Sequence, residues 1–259
     1  MKNLIKSVIK YRNNIKDKNR KDLKEISTFL IKNLLITHEI NQKVTEEKIF
    51  TMLEDLKGTS HVESLKIIEG VVETIHLSGD VCEFGVAQGK TSKLISYLIM
   101  NTQKNIYLYD SFEGLPKPGV KDKLKDDIFN LGKMEAYEGK MSHSEKKVLE
   151  ELSSIKFDLN RLKLNKGFFN KKNMPLFNFP KTISFAYIDF DFYQPTIDVL
   201  KKIENLLIVG SIIIVDDYDF FSTGAKTAVD EWYDDKNNLF KLTKIKTLNA
   251  SFVIIKKIK

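Results

Sequence analysis

Two short acidic runs each close an apolar stretch: Ile188-Asp189-Phe190-Asp191-Phe192-Tyr193 and Val215-Asp216-Asp217-Tyr218-Asp219. If the two apolar stretches are neighbouring strands, Asp189, Asp216 and Asp217 converge at one sheet edge. Carboxylates that close repel one another unless a cation lies between them. Oxygen ligands with no His or Cys nearby select a hard divalent ion, Mg2+ first, with positions left open for water or substrate.

A second constellation lies earlier. Gly79-Asp80-Val81-Cys82-Glu83-Phe84-Gly85-Val86-Ala87-Gln88-Gly89-Lys90-Thr91-Ser92 reads as strand, glycine turn and helix start. Such a turn brings backbone close to a ligand, and a helix N-terminus favours a carboxylate or phosphate. Gly85 and Gly89 stand four apart with no third glycine, so the dinucleotide fingerprint and the phosphate loop both fail, and a nicotinamide dehydrogenase with them. Glu83 inside the turn would repel a pyrophosphate and suits an ammonium group. Asp110, ending the next strand, is placed to accept hydrogen bonds from ribose hydroxyls. An acid in each place suits S-adenosylmethionine, which carries an amine and a free ribose.

These residues need a scaffold, and the chain supplies an α/β pattern. Helical spacing runs from residue 21 to 76, with Gly58 stopping one helix and Thr59-Ser60 able to cap the next. Strands and helices then alternate: strand Asp80–Phe84, helix Lys90–Met100, strands Asn105–Tyr109, Leu162–Asn165 and Ile183–Ile188, helix Pro195–Leu207, strand Ile212–Val215 and helix Thr223–Tyr233. The last two strands, Phe240–Lys246 and Ser251–Lys256, have no helix between them and read as an antiparallel hairpin. Such alternation makes a mostly parallel sheet with its ligands at the carboxyl ends of the strands. The organisation read from the chain is a basic helical extension over 1–58 and a main domain over 59–259. The main domain carries an insert over about 116–153, longer than a plain connection and suited to cover an active site.

The 259 residues carry a formal charge of +7, and its distribution limits the partners. Residues 1–24 hold nine basic residues against Asp17 and Asp22, so the rest of the chain is balanced. Only three of the 42 basic residues are Arg, which argues against nucleic acid, whose phosphates and guanines favour Arg. Leu4, Ile5, Val8, Ile9, Arg12 and Ile15 trace a partly apolar helical face in this segment. The reading favoured from sequence is packing on its own domain or on a sister subunit in a homodimer, with a membrane surface as the alternative. The single cysteine, Cys82, and the lack of a signal or spanning stretch suggest a cytoplasmic protein.

Taken together, Gly79–Gly89, Tyr109-Asp110-Ser111-Phe112-Glu113-Gly114-Leu115-Pro116, Lys166-Gly167-Phe168-Phe169, Asp189–Tyr193 and Asp216-Asp217-Tyr218 resemble the macrocin O-methyltransferase (TylF-type) family, over about residues 60–235. That family includes sugar O-methyltransferases of macrolide and aminocoumarin antibiotic biosynthesis. The resemblance implies a class I methyltransferase Rossmann-like fold, S-adenosylmethionine, Mg2+ and a sugar acceptor. It implies Asp189, Asp216 and Asp217 as metal ligands, with Asp191 or His143 as general base. Glu83, Gly85, Ala87, Gly89 and Thr91 would line the cofactor site, joined by Asp110, Ser111, Gly167, Phe168 and Asp189. Lys166 and Phe168 stand where family members usually carry an acid and a Trp, at the expected adenine contacts. Two other readings fit the residues: a metal-independent methyltransferase acting on an amine or carboxylate, and a non-catalytic nucleotide- or polyanion-binding protein.

Overall fold

The computed structural model describes residues 21, 23–40, 43–247 and 250–259. The apolar face expected over residues 4–15 lies outside the described residues. Residues 23–37 are helical (α1), followed by α2 (Glu46–Asp55) and α3 (His61–Glu73). Strands β1 (Asp80–Phe84), β2 (Ile106–Asp110), β3 (Leu162–Lys166), β4 (Ile183–Ile188) and β5 (Leu207–Val215) follow. Among them stand α4 (Lys90–Leu98), α5 (Glu145–Ser154) and α6 (Tyr193–Ile203), and α7 (Gly224–Tyr233), β6 (Phe240–Lys246) and β7 (Ser251–Lys257) complete the chain.

The strands form one sheet in the order β3-β2-β1-β4-β5-β7-β6. β1 to β5 pair in parallel, while β7 runs antiparallel between β5 and β6. Strand order reverses between β1 and β4, so the loops after these strands diverge and leave a crevice at their carboxyl ends. Side chains alternate across the sheet. Val81, Phe185, Tyr187, Ile212 and Ile214 join a core with residues of α1 to α5. Cys82, Phe84, Ala186, Ile188, Ile213 and Val215 join a second core with α6 and α7. α1 and α2 contribute Ile31, Leu35, Ile49, Met52 and Leu53 to the same core as α3 and α4.

Two boundaries differ from the sequence pattern by more than two residues. The helix expected to run to Leu207 ends at Ile203, and β5 starts at Leu207 instead of Ile212. Gly210, at φ 93°, makes the difference. It lets β5 bulge, so that Ile183 pairs with Leu207 and Phe185 with Ile212. Ser211 Oγ accepts the Ile208 N–H at 2.9 Å and donates to the Ile183 carbonyl at 2.7 Å, satisfying the irregular backbone.

The insert is ordered around a small apolar cluster of its own. Leu115, Met134 and Tyr137 pack with Phe192 and Phe221 from the loops after β4 and β5. Asp122 ties it further: its buried carboxylate accepts the N–H groups of Gly119 and Tyr193, each at 2.7 Å, and the latter opens α6. Among the described residues, no helix is long and apolar enough to cross a membrane.

Candidate active site

A cavity of about 370 Å3 opens at the carboxyl ends of β1, β2, β4 and β5. That falls within the range of small-molecule sites. Its floor is the glycine turn after β1. Gly85 adopts φ 87°, and a Cβ there would lie 1.9 Å from the backbone oxygen of Asp189. Only glycine lets the β1 turn approach the end of β4 this closely. Asp110 staples the turn: its Oδ2 accepts the N–H groups of Val86 at 2.7 Å and Ala87 at 3.0 Å, and its Oδ1 that of Phe112 at 2.7 Å. One acceptor position on Oδ1 remains for a ligand hydroxyl. Ser111 lines the cavity, but its hydroxyl builds the next turn, accepting from Glu113 and donating to the Gly114 carbonyl, both at 3.0 Å.

Glu83 sits beneath the turn with its carboxyl almost wholly buried and hydrogen-bonded by Ser92 at the start of α4. Burial pushes it up to about 8, against the pull of the Ser92 hydroxyl, with Asp110 raising it further. A buried acid facing a cavity, with only a hydroxyl as partner, suits an organic cation.

The strands β4 and β5 are parallel neighbours, as the convergence of their acids required. One oxygen each from Asp189, Asp191 and Asp217 lie within 4.8 Å of one another. Asp191 and Asp217 both hold positive φ, 60° and 52°, a conformation Asp tolerates better than most side chains. The turn at Asp191 is fixed by Ser222, whose hydroxyl donates to the Asp191 carbonyl at 2.7 Å. Burial foremost, then repulsion among the acids, raises Asp189 and Asp217 well above the usual carboxylate range. Asp191 is pushed up to about 8 by burial and by Asp189, while a hydrogen bond with Asp217 pulls it back.

Asp191, expected as the base, joins this grouping, and Asp216, expected as a ligand, stands beside it, first among the charges that raise Asp189 and Asp217. Asp216 lines the cavity, but its Oδ2 accepts the Tyr187 hydroxyl at 3.0 Å and its Oδ1 the N–H of Asp217 at 2.7 Å. The Tyr187 hydroxyl also lies 3.1 Å from Oε1 of Glu63, a buried acid on α3. Sequence reading missed Glu63. Ser60 and Glu63 have capping-box spacing, and Ser60 does accept the Glu63 N–H at 3.2 Å. The Glu63 side chain, however, points into the core, and only Tyr187 and Asp216, more than a hundred residues away, show why. Ser92 and Asp122 were likewise missed.

The remaining expected residues divide. Ala87, Thr91 and Phe168 line the cavity, and Thr91 Oγ1 is 3.4 Å from Thr59 Oγ1 at its rim. Gly89 and Gly167 do not line it. A Cβ on Gly89 would come within 3.0 Å of the Val148 backbone, so this glycine serves the packing of α4 on α5. Gly167 donates its N–H to the Asp110 carbonyl at 2.9 Å. His143 stands outside the cavity, just before Ser144, whose hydroxyl caps α5; the insert reaches the cavity through Leu115, Pro116, Asp122, Ile128 and Met141.

The buried acids give a pH prediction for metal-free protein. A carboxyl that holds its proton more tightly folded than unfolded stabilises the fold below its unfolded pKa, and that stability is lost as pH rises through the folded value. For Glu83 and Asp191 the window runs from about 4–4.5 to about 8. The thermal midpoint in EDTA should therefore fall steadily between about pH 5 and 8; a midpoint that rises over that range contradicts the buried-acid description.

Known proteins bear on this arrangement. Residues 4–253 match the family described as Macrocin-O-methyltransferase (TylF). The chain is similar to demethyldecarbamoylnovobiocin O-methyltransferase of Streptomyces niveus, 25% identical over 179 residues, which span 68% of this chain and 66% of that protein. The solved O-methyltransferase NovP superposes with a TM-score of 0.64 at 21% identity, over 89% of this chain and 97% of that one. The calicheamicin methyltransferase CalS11 gives a TM-score of 0.57 at 20% identity, over 87% and 91%. At these identities the superpositions establish the fold, a class I methyltransferase α/β architecture.

Proposed function

The chain belongs to the macrocin O-methyltransferase (TylF) family and is an S-adenosylmethionine-dependent O-methyltransferase, and from that premise we propose that its acceptor is a sugar hydroxyl and that a divalent metal assists the transfer. Two relatives support this: one is named demethyldecarbamoylnovobiocin O-methyltransferase, and the other, CalS11, is described as a TDP-rhamnose 3'-O-methyltransferase, an enzyme in calicheamicin biosynthesis. The observation that carries the metal reading is the trio Asp189, Asp191 and Asp217, all oxygen donors, gathered beside the glycine turn inside one cavity. Three acids held this way fit a hard divalent cation.

In this reading Asp189 and Asp217 would hold Mg2+, which when bound would supply Lewis acidity toward an acceptor hydroxyl. Glu83 binds the ammonium end of the methyl donor, giving up its proton to do so, and the free position on Asp110 takes a ribose hydroxyl. Gly85, Ala87 and Thr91 shape the wall against which the donor lies. Asp191 accepts the acceptor's proton on its carboxylate, which stands beside Asp189 and Asp217 in the same cavity. The insert excludes water through Leu115, Ile128 and Met141.

The test is to incubate the protein with isotopically labelled donor and a panel of nucleotide-linked sugars and glycans, with Mg2+ or with EDTA, and to score product by mass. The expected result is a methylated sugar in Mg2+ and a rate at least about a hundredfold lower in EDTA. Equal rates in both conditions overturn the metal assignment, and methylation of amines or carboxylates alone overturns the acceptor class.

Glu83 makes a separate prediction. Donor binding near pH 7 should release close to one proton, measured by calorimetry in buffers of different ionisation enthalpy. Glu83→Gln should abolish the release and weaken donor binding roughly tenfold or more. Unchanged proton release in that variant would remove Glu83 from the ammonium site.

A further inference from the structure

Helix α1 has two apolar faces, and the described protein covers one of them. Ile31 and Leu35 turn inward to the core that holds Ile49, Ile67 and Ile68. Leu23, Ile26, Phe29, Leu30 and Ile36 are 44–65% exposed. At 3.6 residues per turn these five share an arc of roughly 140°, with no charged side chain between Leu23 and Ile36 in that arc. An apolar stripe of this extent on a surface helix marks an interaction site.

Its position is set by two hydrogen bonds. Ser27 Oγ lies 2.7 Å from His61 Nε2, and the His38 carbonyl lies 2.9 Å from His76 Nε2. α1 therefore runs alongside α3 in the same direction. Its N-terminal end sits against His61, immediately after Lys57, Gly58 and Thr59 of the cavity rim. The chain entering this end carries the molecule's whole excess charge: nine basic and two acidic residues within 1–24, with the remaining residues balanced.

An occupant must accept apolar side chains and neutralise a dense positive charge. A second copy offers a matching stripe but the same +7 segment, and no counter-charge from a balanced remainder. Nucleic acid offers phosphate but leaves the stripe unused, and Arg supplies only three of the 42 basic residues. An anionic bilayer surface meets both demands, and stable interfacial attachment takes such a pair of signals, shallow apolar insertion with a polybasic segment. We infer that α1, with the basic segment that leads into it, is a docking surface for an anionic lipid bilayer. The protein binds there peripherally, with the rim of its cavity beside the bound helix.

The experiment uses the full chain and sedimentation with vesicles, since bilayer binding needs neither methyl donor nor acceptor and stands apart from the proposed reaction. Vesicles of phosphatidylcholine with about one-third phosphatidylglycerol should retain the protein at least about tenfold more strongly than phosphatidylcholine alone. An Ile26→Glu, Phe29→Glu double variant and a Lys6→Glu, Lys10→Glu, Lys16→Glu triple variant should each lose about tenfold or more of that binding. The apolar double variant should keep the parental thermal midpoint and affinity for S-adenosylmethionine, because Ile26 and Phe29 are more than half exposed and do not line the cavity. Equal or absent binding to both vesicle types overturns the inference, as does anionic-vesicle binding that survives the apolar double variant. A solution dimer that the double variant converts to monomer also overturns it, assigning the stripe to a second copy.

Discussion

Asp189→Asn should lower methyl transfer on the order of a thousandfold while raising the thermal midpoint of the metal-free protein. The two effects share one cause. Asp189 lies at the end of β4 beside Asp191 and Asp217, and burial and repulsion from Asp216 and Asp217 already raise its carboxyl well above the usual range. An amide there removes the cost of protonating a buried carboxyl on folding when no cation is present, an amount that corresponds to roughly 2–4 °C in a chain of this size. The same change removes a metal ligand in the proposed scheme, where a Lewis acid contributes several kcal/mol. Magnesium should stabilise the parent against heat and the variant little. Initial rates and thermal midpoints with Mg2+ and with EDTA measure both effects, and a variant that is less stable in EDTA, or as fast in Mg2+, refutes the argument. Asp191→Asn separates the roles: it should keep most of the magnesium-dependent stabilisation and still lose rate, because its part is to receive the proton.

The second large effect is Gly85→Ala. A methyl group there meets the Asp189 backbone oxygen at 1.9 Å and the Asp189 carbonyl carbon at 2.7 Å, and the residue needs φ 87°. Neither neighbour is a flexible side chain, so β1 and β4 must separate at their carboxyl ends. The cost should be on the order of 3–4 kcal/mol, a fall near 10 °C, with loss of measurable donor binding. Gly132→Ala is a useful control: φ is also positive, at 77°, but nothing lies within 4 Å of the added carbon, so it should cost about 1 kcal/mol and leave donor binding intact. Similar midpoints for the two variants would show that the close approach of the two strands is not what Gly85 secures.

What the sequence disclosed follows the range of the interactions concerned. β1 and β4 were legible because runs of five and six residues between turn signals are too short for a buried helix, and the acids that follow β4 and β5 fall at the carboxyl edge wherever the sheet is parallel. The start of β5 was not legible, because Gly210 and Ser211 interrupt the apolar pattern and only pairing with β4 keeps that stretch in the sheet. The acids at the ends of β4 and β5 could be read locally, but the tie of Asp216 to the Tyr187 hydroxyl and through it to Glu63, a residue whose local spacing describes only a helix cap, could not. His143 was named through the family resemblance as the histidine of the insert, and it stands outside the cavity, which the insert lines with Pro116, Asp122, Ile128 and Met141.

The small apolar cluster beneath the insert has a bearing on how this scaffold can change. Leu115, Met134, Tyr137, Phe192 and Phe221 form a core separate from the two that flank the sheet. Substitutions among the insert's cavity-facing residues, such as Ile128 and Met141, can therefore accumulate without drawing on the stability of the sheet or disturbing the turn stapled by Asp110. Mutational drift is cheapest in the insert's lining and most constrained at the glycine turn, so the shape of the cavity can change on one side while the other stays fixed.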